Sequence, residues 1–440
     1  MTSATLGVAI AASILILALR PVRALAVYLG VIMFYPSFLV VSLGTVDVTA
    51  HRIVAIVLLS RCVLDPDLTR KFKWCSLDTL VLVYVIVGSA VTFIVHPFHI
   101  ALENRGGTIV DTWFLYLSVR LCITERHHVL TIAKWLSVCL VPLAVLGAIE
   151  CYTGYQPFAR LAANAPWALD AERGGAVRFG LTRAIGPNGH PIVFGLCFTT
   201  LLPLTYYLRH EHNNWRTMAY LVSALAVVGA ISSMSSGPFA ALMATVACLT
   251  MEPLKKYVRA VLIVLVVCLI LAEAGSNNPV YYVVVGLVNP FGGAGWHRVR
   301  IIDLAIQHFG EWYLLGYGGK DPGWGQYLGM GRTDACNQFI VTGIRFGVWG
   351  LVAFCSVLAV ALRTVIFAHN SSQDPMMKSL AWALGSILIS LMAAFFSVAL
   401  MGQSVFLFYF VLGMVGAFST TAVTTPKNND LLQPIIAART

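Results

Sequence analysis

The feature that most limits what this chain can become is its succession of apolar runs. Stretches close to bilayer length follow one another from end to end, broken by short polar links. One reads Val258-Arg-Ala-Val-Leu-Ile-Val-Leu-Val-Val-Cys-Leu-Ile-Leu-Ala272, with Arg259 its one charged residue. A helix that crosses a bilayer needs about 20 mostly apolar residues. Lipid admits only helices and closed barrels, because it offers no partner to an unpaired backbone group. Composition agrees: 58% of residues are hydrophobic and 11% charged, against about 45–50% and about 25% in soluble domains. The expected fold is an all-α, polytopic transmembrane helix bundle.

The runs fall at approximately 4–19, 24–43, 51–64, 77–97, 108–123, 129–150, 190–208, 216–234, 237–251, 257–273, 340–367, 377–400 and 403–421. Several are short, so the expected count is about 12, with thirteen as the alternative. The expected organisation is transmembrane helices over 1–150, a large loop over 151–189, and helices over 190–273. A second large loop follows over 274–336, then helices over 337–425 and a tail over 426–440. Met1 to Gly7 carry no positive charge, so the N-terminus reads as a first span rather than a signal peptide.

Short-loop charge sets orientation. One set of short loops carries Arg20 and Arg23, then Arg70, Lys71 and Lys73, then Arg126, Arg209, Arg216, Lys255, Lys256, Arg259 and Lys378. The opposite set has little beyond Arg52 and Arg105. The basic set is expected in the cytoplasm, which puts both large loops outside. In a cell with two membranes that means the inner membrane, with the loops in the periplasm. The net charge of +10 is scattered, without a basic run. The expected partner is therefore membrane lipid, not nucleic acid. The ten cysteines lie mostly inside apolar runs and show no CxxC. They read as small buried hydrophobes, and no metal or cofactor is expected. Cys151 and Cys336, in or beside loops, are the one pair with an opportunity for a disulfide.

The two large loops hold the chemistry. The first contains Arg160, Arg173, Arg178 and Arg183 with Asp170 and Glu172, and ends in Arg183-Ala-Ile-Gly-Pro-Asn-Gly-His190-Pro191. Gly and Pro there impose a tight turn that holds Arg183 and His190 at the membrane surface. In the second loop, Val299, Ile302, Ile306 and Phe309 recur at helical spacing, with Arg300, Asp303, Gln307 and Glu311 on the other face. This predicts an amphipathic helix. The turn Leu314-Leu-Gly-Tyr-Gly-Gly-Lys320 follows, without the spacing of a phosphate-binding P-loop. Lipid headgroups could account for the arginines, and bilayer adsorption for the helix. The functional alternative is a lipid-linked diphosphate, whose phosphates lie at that depth and suit guanidinium forks. Arginine would also stabilise charge on a departing diphosphate. An acceptor hydroxyl then needs at most a general base; the candidates are His190, His297, His308, Asp303 and Asp334.

Three blocks resemble the O-antigen ligase/polymerase family of bacterial surface-polysaccharide assembly. The first is Arg183-xx-Gly186 with His190-Pro191-xxx-Gly195. The second is Arg298, Ile302 and Ala305 leading to Leu-Leu-Gly-Tyr-Gly. The third is Ala335-Cys-Asn337-Gln-Phe-Ile with Gly343-Ile-Arg-Phe-Gly347-Val-Trp-Gly350-Leu. The match covers Arg183 to Gly350. The resemblance implies inverting, metal-independent glycosyl transfer from a glycan on undecaprenyl diphosphate to a glycan or lipid A core acceptor, with a chain-length regulator protein as a further partner. It places Arg183 and Arg298, with Arg178 or Arg300 nearby, and Asn337 against the donor. The family's third block often reads His-Asn; here Cys336 precedes Asn337. That departure favours a repeat-unit polymerase, or a ligase whose base lies elsewhere, at His297 or His308.

A second class is a carrier of lipid-linked oligosaccharide. Carriers place charge inside the bundle, whereas these spans are nearly free of it. Arg61, Arg120, Glu150 and Glu273 lie near span ends, where snorkelling to water is the expected explanation. A third reading, a different glycosyltransferase with an acidic catalytic residue, rests on Asp47 without a second acid beside it.

Overall fold

Apolar side chains at nearly every position leave the backbone one economical way to pair its own N–H and C=O groups. The computed structural model accordingly is 79% helical and describes residues 2–44, 46–162, 177–212, 214–288 and 295–424. Asp170, Glu172, Arg173 and the tail over 426–440 lie outside the described residues. Two short antiparallel hairpins interrupt the helices, Val40–Leu43 with Val46–Thr49 and Val177–Arg178 with Leu181–Thr182.

Among the described residues, seven helices are long and apolar enough to cross a membrane: Ser76–Val95, Arg126–Thr153, Pro191–His210, Trp215–Ser232, Lys255–Gly275, Gln338–Ser371 and Pro375–Phe395. Shorter apolar helices occupy Ser3–Ala18, Pro21–Phe34, Ser236–Met251 and Gln403–Ser419. The protein is an all-α bundle whose apolar helices suit a membrane. The run over 24–43 is not one helix. It stops at Phe34 and resumes as the strand Val40–Leu43, because Pro36 disfavours helical backbone at the residue before it. The run over 108–123 starts earlier than expected, at Phe98, and passes through a π turn at Val110–Phe114.

Pro191–His210 is the central helix, with 89% of its apolar window buried. It packs against Trp215–Ser232, Ser236–Met251 and Pro375–Phe395. Small residues permit that closeness: a Cβ on Gly195 would lie 2.4 Å from Ser233 Oγ and 2.6 Å from Pro238 Cβ. Lys255–Gly275 is the opposite case, with none of its window buried.

Two charges expected to snorkel do not. Arg120 Nε sits 2.8 Å from Asp78 Oδ1, with side chains 1% and 0% exposed. Tyr116 donates to the same carboxylate and Arg120 Nη2 to the Lys73 carbonyl. Glu150, also fully buried, accepts from the backbone N–H groups of Ile185 and Gly186 at 2.8 and 2.9 Å. Tertiary partners supply what water was expected to supply.

The Gln338–Ser371 helix breaks at Gly347, whose φ of 69° and ψ of −171° leave the helical region. The break exposes backbone groups that a membrane interior must not leave unpaired. Tyr317 N–H donates to Ile344 O at 2.7 Å, Gly318 N–H to Arg345 O at 2.9 Å, and Val348 N–H to Tyr313 O at 2.8 Å. A Cβ on Gly316 would lie 2.7 Å from the Arg345 carbonyl carbon. The glycine turn of the second loop and the Gly343–Gly350 segment are thus one unit.

Candidate functional site

The first loop is shaped by Glu150, whose two accepted hydrogen bonds hold Ile185 and Gly186 and so fix the turn that begins at Arg183. Gly186 stands at φ 50° with the Phe194 ring against it; a Cβ there would lie 2.5 Å from that ring. His190 caps the central helix, its Nδ1 accepting from Ile192 N–H. When neutral, the ring therefore carries its proton on Nε2.

Arg183 and Arg178 converge on the turn between the Trp215–Ser232 and Ser236–Met251 helices. Arg183 Nη2 donates to Ser235 Oγ at 2.7 Å and Arg178 Nη1 to Met234 O at 3.1 Å. Met234 itself stands at φ 43°, a left-handed conformation rare outside glycine. Neither arginine forms an ion pair with a carboxylate among the described residues. Burial, then the Arg178 charge, pulls the Arg183 guanidinium down to about 10. Arg298, 6% exposed, comes from the second loop. Burial lowers it as well, with Arg178 adding repulsion while Cys336 and Asp334 pull the other way. Arg178 therefore lies within electrostatic reach of both Arg183 and Arg298, which come from different loops.

Beside Arg298 lie His297, Asp334 and Cys336, whose ligand atoms fall within 4.8 Å of one another. His297 Nε2 donates to the Asp334 carbonyl oxygen at 2.7 Å; a carbonyl only accepts, so Nδ1 carries the lone pair of the neutral ring. Burial, then Asp334, pushes the Cys336 thiol up to about 12, so it is a neutral thiol rather than a thiolate nucleophile. The trio has metal-ligand chemistry, but a guanidinium beside it opposes a cation. Charge in this region favours an anion. Cys151 and Cys336 are both free thiols.

The second-loop helix spans Gly295–Gln307, but its buried face is not the expected one. His297, Arg298, Ile301, Leu304 and Ala305 point inward, while Ile306 and Phe309 are exposed. The helix carries two overlapping apolar stripes; the Ile301 stripe packs on Trp312, Trp324, Leu328 and Ile344. Arg300 lies two residues from Arg298, about 200° around the helix, and is half-buried away from the cluster. Asp303 accepts from Tyr281 and Tyr282 at 2.6 and 3.4 Å. His308 binds Glu311 at 2.7 Å and stacks on Trp324. Ten residues of helix separate it from Arg298, about 15 Å. Asn337 is committed to structure: its Oδ1 caps Phe339 and Ile340 N–H, and its Nδ2 donates to Phe396 O.

Sequence reasoning read Glu150 only as a snorkelling charge and gave the Ser233–Ser235 turn no role in holding the arginines. The tract Ser232-Ser-Met-Ser-Ser-Gly-Pro238, between two apolar runs, was the available signal. No protein-family model matches the chain, and no curated protein matches it.

Proposed function

We propose that this chain is an inverting, metal-independent membrane glycosyltransferase. It moves a glycan from undecaprenyl diphosphate to an acceptor hydroxyl, as a repeat-unit polymerase of surface-polysaccharide assembly. The observation that carries this reading is Arg178 lying within electrostatic reach of both Arg183 and Arg298, with neutral acceptors for Arg178 and Arg183. In this reading the bundle crosses the inner membrane about 12 times, with both large loops in the periplasm. The arginines hold the donor diphosphate. The acceptor oxygen attacks the anomeric carbon from the opposite face and the bond from that carbon to the diphosphate oxygen breaks. The hydroxyl proton passes to a base, for which His297 Nδ1 is the nearest candidate to Arg298. Undecaprenyl diphosphate leaves, its new charge stabilised by guanidinium.

Cys336 at the position where the resembling family often has His supports polymerase over ligase. Deleting the gene tests this. Lost polymer with retained single repeat units is the expected outcome; lipid-linked polymer that never reaches the lipid A core would make the chain a ligase. Unchanged polysaccharide would remove the proposal altogether.

A further inference from the structure

A second pair of arginines lies apart from the cluster above. Arg105, on the Phe98–Ile109 helix, and Arg345, two residues before the Gly347 break, line one cavity of about 310 Å³. That is at the lower end of ligand-pocket volumes, about 300–1,000 Å³. Arg105 is 7% exposed. Its Nε reaches Ser89 Oγ at 3.4 Å and its Cζ stands 5.4 Å from the centre of the Phe346 ring. Arg345 opens onto the cavity. Neither has a carboxylate partner among the described residues.

Several arginines of the bundle differ. Arg120 has Asp78, Arg52 has Asp111 and Arg209 has Glu252. A buried guanidinium without a counter-charge is costly, and the exposed Arg345 adds a second like charge to the same cavity. The rest of the wall offers neutral hydrogen-bonding groups, among them Tyr84, Asn104, Thr108 and Tyr409. At one edge stand Gly318 and Gly319, at φ 62° and 100°. His96 Nε2 holds Gly318 through its carbonyl oxygen at 3.0 Å. The cavity is therefore built where the glycine turn closes over the broken helix. Paired guanidinium forks with hydroxyl and amide neighbours are the chemistry that recognises phosphate oxygens.

We propose that the cavity between Arg105 and Arg345 binds a phosphate or diphosphate group, at a site separate from Arg178, Arg183 and Arg298. The inference stands on these two arginines and does not need the glycosyl-transfer reading. The ligand's source is either a phospholipid headgroup or a diphosphate from another molecule.

The test uses the full chain in phosphatidylcholine nanodiscs, probed by thermal unfolding. One arm adds inorganic diphosphate; the other replaces part of the lipid with phosphatidylglycerol. We expect stabilisation in at least one arm. It should persist in R183Q/R298Q, which removes the other arginine cluster, and vanish when R105Q/R345Q is added to that background. A response to inorganic diphosphate identifies a diphosphate ligand, and a response to phosphatidylglycerol alone identifies a headgroup. No stabilisation in either arm, or stabilisation of R183Q/R298Q that survives the addition of R105Q/R345Q, overturns the proposal. Should the double Gln variant fail to insert, R105K/R345K serves instead. Lysine keeps the charge but loses the fork, so affinity should fall about tenfold; unchanged affinity overturns the site.

Discussion

Arg120 and Arg183 make an instructive pair. Both guanidinium groups leave bulk water, and both come from stretches next to apolar runs. Arg120 finds Asp78 at 2.8 Å, with Tyr116 on the same carboxylate. Its charge is cancelled inside the fold and it ties two helices together. Arg183 finds a serine hydroxyl and a distant carbonyl, and feels Arg178 as a repelling neighbour. Its charge stays uncompensated among the described residues. A buried cation with its own carboxylate is architecture; one held by neutral acceptors keeps its attraction for an incoming anion. The contrast separates a brace from a binding group without reference to any relative.

The comparison breaks most visibly at activity. Arg183→Ala or Arg298→Ala should lower release of undecaprenyl diphosphate by purified protein by about 10²–10³-fold. Membrane levels of either variant should stay near wild type. Normal long-chain polysaccharide in both variants would end the diphosphate-clamp idea.

Arg120→Ala should do the reverse, reducing folded protein rather than catalysis per folded molecule. Removing one member of a buried pair strands the other, at about 3–5 kcal/mol. Thermal unfolding in detergent measures this. Replacing both members, as in R120M/D78L, should recover most of the loss. A stable R120A protein would mean that Asp78 does not depend on it.

A smaller effect should appear with pH. Burial pulls the Arg183 guanidinium well below its ordinary value, down to about 10, in the fold. Below that pH it is charged, and holding the charge costs the fold stability. As pH rises through about 10, the proton leaves, that cost is relieved, and affinity for an anionic donor falls. Donor affinity followed from pH 8 to 11 should decline in wild type and stay flatter in Arg183→Gln.

The smallest effects should be at Cys336. Its thiol is neutral, so Cys336→His should leave the basic reaction intact. Chelation by EDTA should change turnover little. Complete loss in either experiment would give Cys336, with His297 and Asp334, a metal or catalytic role.

Much of the bundle was legible from sequence. The expected spans 77–97 and 129–150 appear as Ser76–Val95 and Arg126–Thr153, because a long apolar run in lipid has little choice but helix. The glycines at 186 and 316 were readable as turn positions, and each stands at positive φ; Gly347 also does, but was not read that way. Arg178, Arg183 and Arg298 were flagged from the loops that bring them together. Less legible was the orientation of the second-loop helix. Periodicity finds an apolar stripe, but with two stripes present it cannot choose which one meets Trp312 and Trp324. Asn337 was read as a substrate contact, whereas its side chain caps a helix.

By itself the sequence determined a membrane solvent, a helical backbone and a short set of loop arginines, since those follow from local runs and from which residue types lipid tolerates. Only the tertiary structure decided which charges are neutralised. Asp78 lies 42 residues before Arg120, and Arg105 and Arg345 meet across a cavity with no acid beside them. Charge compensation acts through space over a few ångströms, and the order of residues along the chain does not record it.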